Sequence, residues 1–197
     1  MTLPTKLTVL RILLTFVIMG MLFVPGWVSK VIALVGFLLA VLTDWLDGLL
    51  ARRWRQLTPL GALLDPIADK VLVLGMLLAF VQLRVVPAWM VLVIALREFV
   101  ITGVRLFAAS RHTILAAAKE GKHKTVSQMV TILCILLVMI VEELGAHTLS
   151  RPAALAMRWA ILGSLWVTLV LTVVSGAGFF WRHRDVLREA VSRTSDQ

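Results

Sequence analysis

TDWLDGLLARRWRQLTPLGALLDPIADK, Thr43 to Lys70, sets four aspartates into a chain otherwise built of long apolar runs: Asp44, Asp47, Asp65 and Asp69. At membrane depth each would cost about 3 kcal/mol, so the stretch demands something that binds them. On a helix, residues three or four apart share a face. Asp44, Asp47, Gly48 and Ala51 therefore form one stripe, and Gly61, Asp65 and Asp69 form another. If the two apolar segments that carry them are antiparallel neighbours joined by a short loop, the stripes face each other. Four carboxylates then surround one cavity, with Gly48, Ala51 and Gly61 leaving room beside them.

Four carboxylates so close cannot all stay ionised without a counter-charge. Lys70 follows Asp69 directly, so it points about 100° away on a helix and cannot neutralise four. A divalent metal is the compact solution. An all-oxygen set suits Mg²⁺, Mn²⁺ or Ca²⁺ rather than the softer metals that prefer His or Cys. Two ions bridged by carboxylates form the clamp used in phosphoryl transfer. A single Asp near a helix end would read as a cap, or as a partner for Arg52, Arg53 or Arg55. Four at face-sharing spacing read as a ligand set, with a proton or ion pathway as the other use of intramembrane carboxylates.

The rest of the chain says where this set lies. Of 197 residues, 60% are hydrophobic, and the mean hydropathy is +0.95; a soluble domain is about half apolar. Apolar runs long enough to cross a bilayer, about 20 residues each, recur along the whole sequence. The expected fold is therefore all-α and integral to the membrane. One domain over residues 1–197 holds six transmembrane helices, near 10–24, 28–50, 60–83, 87–109, 126–144 and 155–180. A short N-terminal interfacial helix, Thr2 to Arg11, is expected before the first. Pro25-Gly26, Thr58-Pro59, Pro87 and Pro152 punctuate the gaps. The one cysteine, Cys134, allows no internal disulfide. The formal net charge of +9 follows the positive-inside rule better than it suggests nucleic acid, because basic residues cluster in alternate loops. That pattern puts both termini, and all four aspartates, on the cytoplasmic side.

The spacing D-x2-D-G-x2-A-R-x8-G-x3-D-x3-D is filled here by Asp44, Asp47, Gly48, Ala51, Arg52, Gly61, Asp65 and Asp69. It resembles the signature of the CDP-alcohol phosphotransferases, and the six-span layout is similar to theirs. The resemblance implies a CDP-linked lipid bound at the cytoplasmic membrane surface and metal, commonly two ions of Mg²⁺ or Mn²⁺, held by Asp44, Asp47, Asp65 and Asp69. It implies that Asp69 is the general base for the acceptor hydroxyl, that CMP leaves, and that the enzyme is a homodimer. Gly48, Ala51 and Gly61 would border the nucleotide, with Arg52 and Thr58 on the same ligand.

Further stretches resemble one branch of that family, the bacterial phosphatidylglycerophosphate synthases. They are Leu96-Arg97-Glu98-Phe99 with Gly103 and Arg105, Gly121-Lys122-His123-Lys124-Thr125 with Gln128, and the opening residues Pro4, Leu7, Thr8 and Arg11, where Thr5 stands in place of that branch's Asn. Thr8 and Arg11 are thereby assigned to the CDP-diacylglycerol side. The implied acceptor, in a bacterial inner membrane, is glycerol 3-phosphate. Its dianion needs fixed cations, and Arg105, Arg111, Lys122 and Lys124 are the candidates. Arg97 and Glu98 read as a structural pairing with a neighbouring helix before they read as substrate contacts. Inositol phosphate, serine or phosphatidylglycerol are the alternative acceptors. A cation transporter and an intramembrane prenyltransferase are the alternative chemistries.

Overall fold

The computed structural model describes residues 3–54, 59–110, 120–145 and 149–184; the side chains at 3–7, 44–66, 69 and 109–123 lie outside that description. Six helices follow one another: α1 (Leu3–Phe23), α2 (Trp27–Trp54), α3 (Pro59–Gln82), α4 (Ala88–Ser110), α5 (Glu120–Leu144) and α6 (Arg151–Arg182). No strand occurs among the described residues. The breakers act as local chemistry dictates. Gly26 takes φ +101°, a left-handed conformation open to glycine without steric penalty, and turns α1 into α2. Pro59 is the first residue of α3. Ser150 precedes α6 in extended backbone, with Pro152 in the first turn, where a missing N–H costs nothing.

Among the described residues the expected separate N-terminal helix does not occur. Residues from Leu3 onward belong to α1, and Thr8 and Arg11 are buried rather than lying along an interface. No glycine or proline stands between Pro4 and Gly20, so one helix continues through the segment. By length and composition, two of the described stretches suffice to cross a membrane, Lys124–Leu144 and Arg151–Arg182. Thr8–Phe23, Trp27–Thr43 and Lys70–Gln82 are shorter apolar helices.

The helices pack as a ring. α1 lies against α2 and α3, α2 against α5, α5 against α6, α6 against α4, and α4 back against α3, with a smaller α3–α5 contact across the middle. Small residues set the closest crossings. A Cβ on Gly36 of α2 would come within 2.9 Å of Ile18 Cγ1, and one on Gly75 of α3 within 3.0 Å of Met19 Sδ and 3.1 Å of Thr15 Cγ2. α1 is therefore clamped at a fixed height against both neighbours.

The buried interior changes character along the bundle axis. Toward the end that holds the chain termini it is polar: Thr8, Arg11 and Thr15 on α1, Glu98 on α4, Lys124, Gln128 and Thr131 on α5, and Thr168, Thr172 and Ser175 on α6. Toward the opposite end it is apolar, with Leu22, Phe37, Met76, Phe80, Ile94, Ile135 and Leu165 in one cluster. At that far end Lys30, 4% exposed, closes α1. Its Nζ donates to the carbonyls of Leu22 (2.7 Å) and Val24 (2.6 Å), which satisfies the last turn and places a cation at the negative pole of the helix.

Candidate active site

The crossings fix which residues share a level. At 1.5 Å per residue, the contact of Ile18 with Gly36 and of Thr15 and Met19 with Gly75 brings Arg11 within a turn of Asp44 on α2 and within a turn of Asp69 on α3. Thr8, one turn nearer the N-terminus, shares this level with the signature segments. On the other side of α3, Lys70 Nζ donates to Thr102 Oγ1 of α4. The two helices run antiparallel, so Arg105, three residues past Thr102, is level with the stretch from Asp65 to Asp69. Glu98 lies about one turn deeper.

The signature residues thus occupy the polar half of the bundle, on two helices that both pack against α1. Asp44, Asp47, Gly48, Ala51 and Arg52 belong to α2, and Gly61, Asp65 and Asp69 to α3; their side chains lie outside the described residues. Thr58 and Arg111 lie outside them entirely, as does the side chain of Lys122 in α5. The donor chemistry of the signature, carboxylate oxygen with no His or Cys, fits a hard divalent cation. The α2 and α3 segments that carry it share a level with a buried arginine.

Arg11 is 2% exposed. A guanidinium so buried is retained only with anionic or carbonyl partners, and its own helix contributes to its setting: Thr15 Oγ1 donates to the Arg11 carbonyl at 2.9 Å. Arg105 is exposed, and its guanidinium stands 5.4 Å over the Phe179 ring, a cation–π contact that ties α4 to α6.

Lys124 differs from Arg105. It is buried at 6% exposure and forms an ion pair with Glu98 Oε1. Arg97 Nη1 donates to the same oxygen at 3.3 Å, and Arg97 Nη2 donates to Ser175 Oγ at 2.9 Å. Arg97 and Glu98 therefore both reach neighbouring helices, as the structural reading of that pair requires. Sequence reasoning did not join Glu98 to Lys124. The available signal was that Glu98 is the one acidic residue in the apolar run of α4, and such a charge seeks a partner. A polar stripe also passed unremarked. Lys124, Gln128 and Thr131 on α5, and Thr168, Thr172 and Ser175 on α6, recur at helical spacing; Thr131 Oγ1 meets Thr168 Oγ1 at 2.9 Å and donates to the Ser164 carbonyl at 3.0 Å. His123 is part of α5.

Known proteins resemble this chain over nearly its whole length. The CDP-alcohol phosphatidyltransferase family matches residues 1–174. A protein of Bacillus subtilis (strain 168) named CDP-diacylglycerol–glycerol-3-phosphate 3-phosphatidyltransferase is 35% identical over 198 residues, covering 94% of this chain and 97% of its own. Proteins of the same name from Cereibacter sphaeroides, 31% identical (95% of this chain, 98% of its own), and Salmonella choleraesuis (strain SC-B67), 37% identical (81% and 90%), match similarly.

Proposed function

This chain belongs to the CDP-alcohol phosphatidyltransferase family, and we propose that it transfers the phosphatidyl group of CDP-diacylglycerol to glycerol 3-phosphate, forming phosphatidylglycerophosphate and CMP. The observation that carries this reading is the intact eight-position signature on α2 and α3, level with buried Arg11, in a chain matched across most of its length by relatives that bear that activity's name.

The roles follow from the chemistry of each group. Asp44, Asp47, Asp65 and Asp69 are the residues that would hold divalent metal, Mg²⁺ or Mn²⁺ and in all two ions. Metal bound there supplies Lewis-acid neutralisation of the diphosphate. Thr8, Arg11, Gly48, Ala51, Arg52, Thr58 and Gly61 border the CDP-lipid. Arg105, Arg111, Lys122 and Lys124 hold the acceptor phosphate. Asp69 accepts the proton of the acceptor hydroxyl, whose oxygen bonds to the lipid-side phosphorus as the bond to CMP breaks. In such transfers the protein chiefly positions groups and stabilises charge.

The whole chain, as one domain, spans the bacterial plasma membrane six times, with both termini cytoplasmic and a second copy as partner. Two features support a lipid setting. Large apolar side chains are exposed on every helix, among them Phe16, Leu39, Leu78, Phe99, Leu137 and Val174; a water-facing surface seldom carries so continuous an apolar skin. At the far end, Lys30 is also consumed as a helix cap.

The test is the purified protein with CDP-diacylglycerol and, in turn, glycerol 3-phosphate, inositol phosphate, serine and phosphatidylglycerol, with and without chelator. CMP release should require glycerol 3-phosphate and stop on chelation. Release with another acceptor alone, or undiminished release after metal stripping, would reject the assignment.

A further inference from the structure

Glu98 stands at the meeting of three helices. α4 packs against α3 and α6, whereas α4 and α5 are not close backbone neighbours among the described residues. The Glu98–Lys124 pair therefore reaches across the interior of the ring. Glu98 is 9% exposed, and the same carboxylate oxygen also receives Arg97. Arg97 is itself fixed on α6, by Ser175 Oγ and by Gly176, where an added Cβ would sit 3.2 Å from Arg97 Cγ.

A buried cation, Lys124, and a half-buried one, Arg97, thus meet the same carboxylate oxygen. Unused donors lie beside them. Buried Arg97 Nε and Gln128 Nε2, the latter one turn along α5 from Lys124, have no hydrogen-bond partner among the described residues. Buried donors without acceptors are rare in a finished interior. Lysine, moreover, is a flexible stem that carries its ammonium toward water unless something holds it.

We propose that Glu98 is a positioning residue for the acceptor: it holds Lys124 Nζ inside the ring beside Arg97, so that a donor-rich face meets the phosphomonoester dianion. This rests on the reading that Lys124 binds the acceptor phosphate. Glu98 itself touches neither substrate. A glutamine there would keep the volume and lose the hold on Lys124. An aspartate would keep the charge on a shorter reach.

Steady-state kinetics on the full-length enzyme with glycerol 3-phosphate and CDP-diacylglycerol, for Glu98→Gln, Glu98→Asp, Lys124→Met and the Gln/Met double variant, test the idea. Glu98→Gln should raise the KM for glycerol 3-phosphate on the order of ten- to a hundredfold, the range that one charged hydrogen bond spans. The KM for CDP-diacylglycerol should stay unchanged, Glu98→Asp should recover part of the loss, and Glu98→Gln should add nothing once Lys124 is Met. If Lys124→Met raises the acceptor KM while Glu98→Gln does not, Glu98 has no positioning role and the acceptor assignment survives. If neither changes it, the acceptor assignment of Lys124 fails and the proposal falls with it. Equal rises in both KM values, or additive effects in the double variant, would also overturn the proposal by making Glu98 a general structural residue. Should Glu98→Gln not fold, the double variant, which leaves Lys124 out of the buried charge set, decides: a wild-type acceptor KM there overturns the idea, and one equal to that of Lys124→Met sustains it.

Discussion

Replacing Lys30 by Met tests how the far end of the bundle is closed. Met keeps an unbranched stem of similar length, so the packing of this 4%-exposed side chain is largely retained. What disappears is an ammonium donating to Leu22 O at 2.7 Å and Val24 O at 2.6 Å. The Val24 carbonyl keeps a second donor, Ser29 Oγ at 2.7 Å, but the Leu22 carbonyl loses the one described here. An orphaned buried acceptor costs about 1–3 kcal/mol, and loss of a cation at a helix C-terminus adds about 0.3–1 kcal/mol. Relief from burying an ammonium works in the opposite sense. We therefore expect a net destabilisation of about 2 kcal/mol. At about 2–4 °C per kcal/mol for a chain of this size, the apparent Tm should fall by about 4–8 °C in detergent, read by intrinsic fluorescence. The site lies at the end of the bundle remote from the aspartates, so kcat and both KM values at low temperature should match the parent. An unchanged or higher Tm would refute the reasoning, because it would mean that desolvation of the ammonium outweighs its two bonds.

Two further outcomes bear on the active site. Asp69→Asn should reduce turnover at least a thousandfold, in the range of a lost general base and a lost metal ligand together, while CDP-diacylglycerol still binds; equilibrium binding with a CDP-lipid probe checks this, and normal CMP release would remove Asp69 from its role. Gly75→Leu should force apart the α1–α3 crossing, where even a Cβ meets Met19 Sδ at 3.0 Å. Overpacking of this kind costs about 1–3 kcal/mol and shifts Thr8 and Arg11 against the signature segments, so the KM for CDP-diacylglycerol should rise along with a lower Tm. Retention of both values would show that the crossing does not set the site.

Most helices were legible because the breaks before them carry their own chemistry. Pro25-Gly26, Pro59, Pro87 and Pro152 fall where α2, α3, α4 and α6 begin, and the spacing of Asp44, Asp47, Asp65 and Asp69 puts each pair on one helix whatever else packs nearby. The N-terminal segment was misread because Thr8 and Arg11 are polar, and polarity near an end suggests a surface. Their burial depends on what α2 and α3 bring to the same level, which no local window contains. Glu98 with Lys124 was illegible for the same reason: twenty-six positions separate them, and the intervening residues do not show which faces of α4 and α5 meet. The cap on α1 was hidden because Lys30 counts in a charge tally as one more loop cation, although its ammonium is spent on carbonyls six and eight residues earlier.

These pairings make α4 the helix on which the polar half depends. Thr102 receives Lys70 from α3, Glu98 receives Lys124 from α5, and Arg97 reaches Ser175 on α6. Each link is polar, and each sits in the half of the bundle where the apolar cluster does not reach. The apolar half can tolerate exchanges of similar volume, because dispersion and burial are not directional. The polar half cannot, since a buried donor left without its partner costs more than a misplaced methyl group. Positional precision at the aspartates is therefore carried by helix register, with Gly36 and Gly75 setting the height of α1 and side-chain bridges setting that of α4. A site built this way on rigid elements holds its geometry better than one hung on loops.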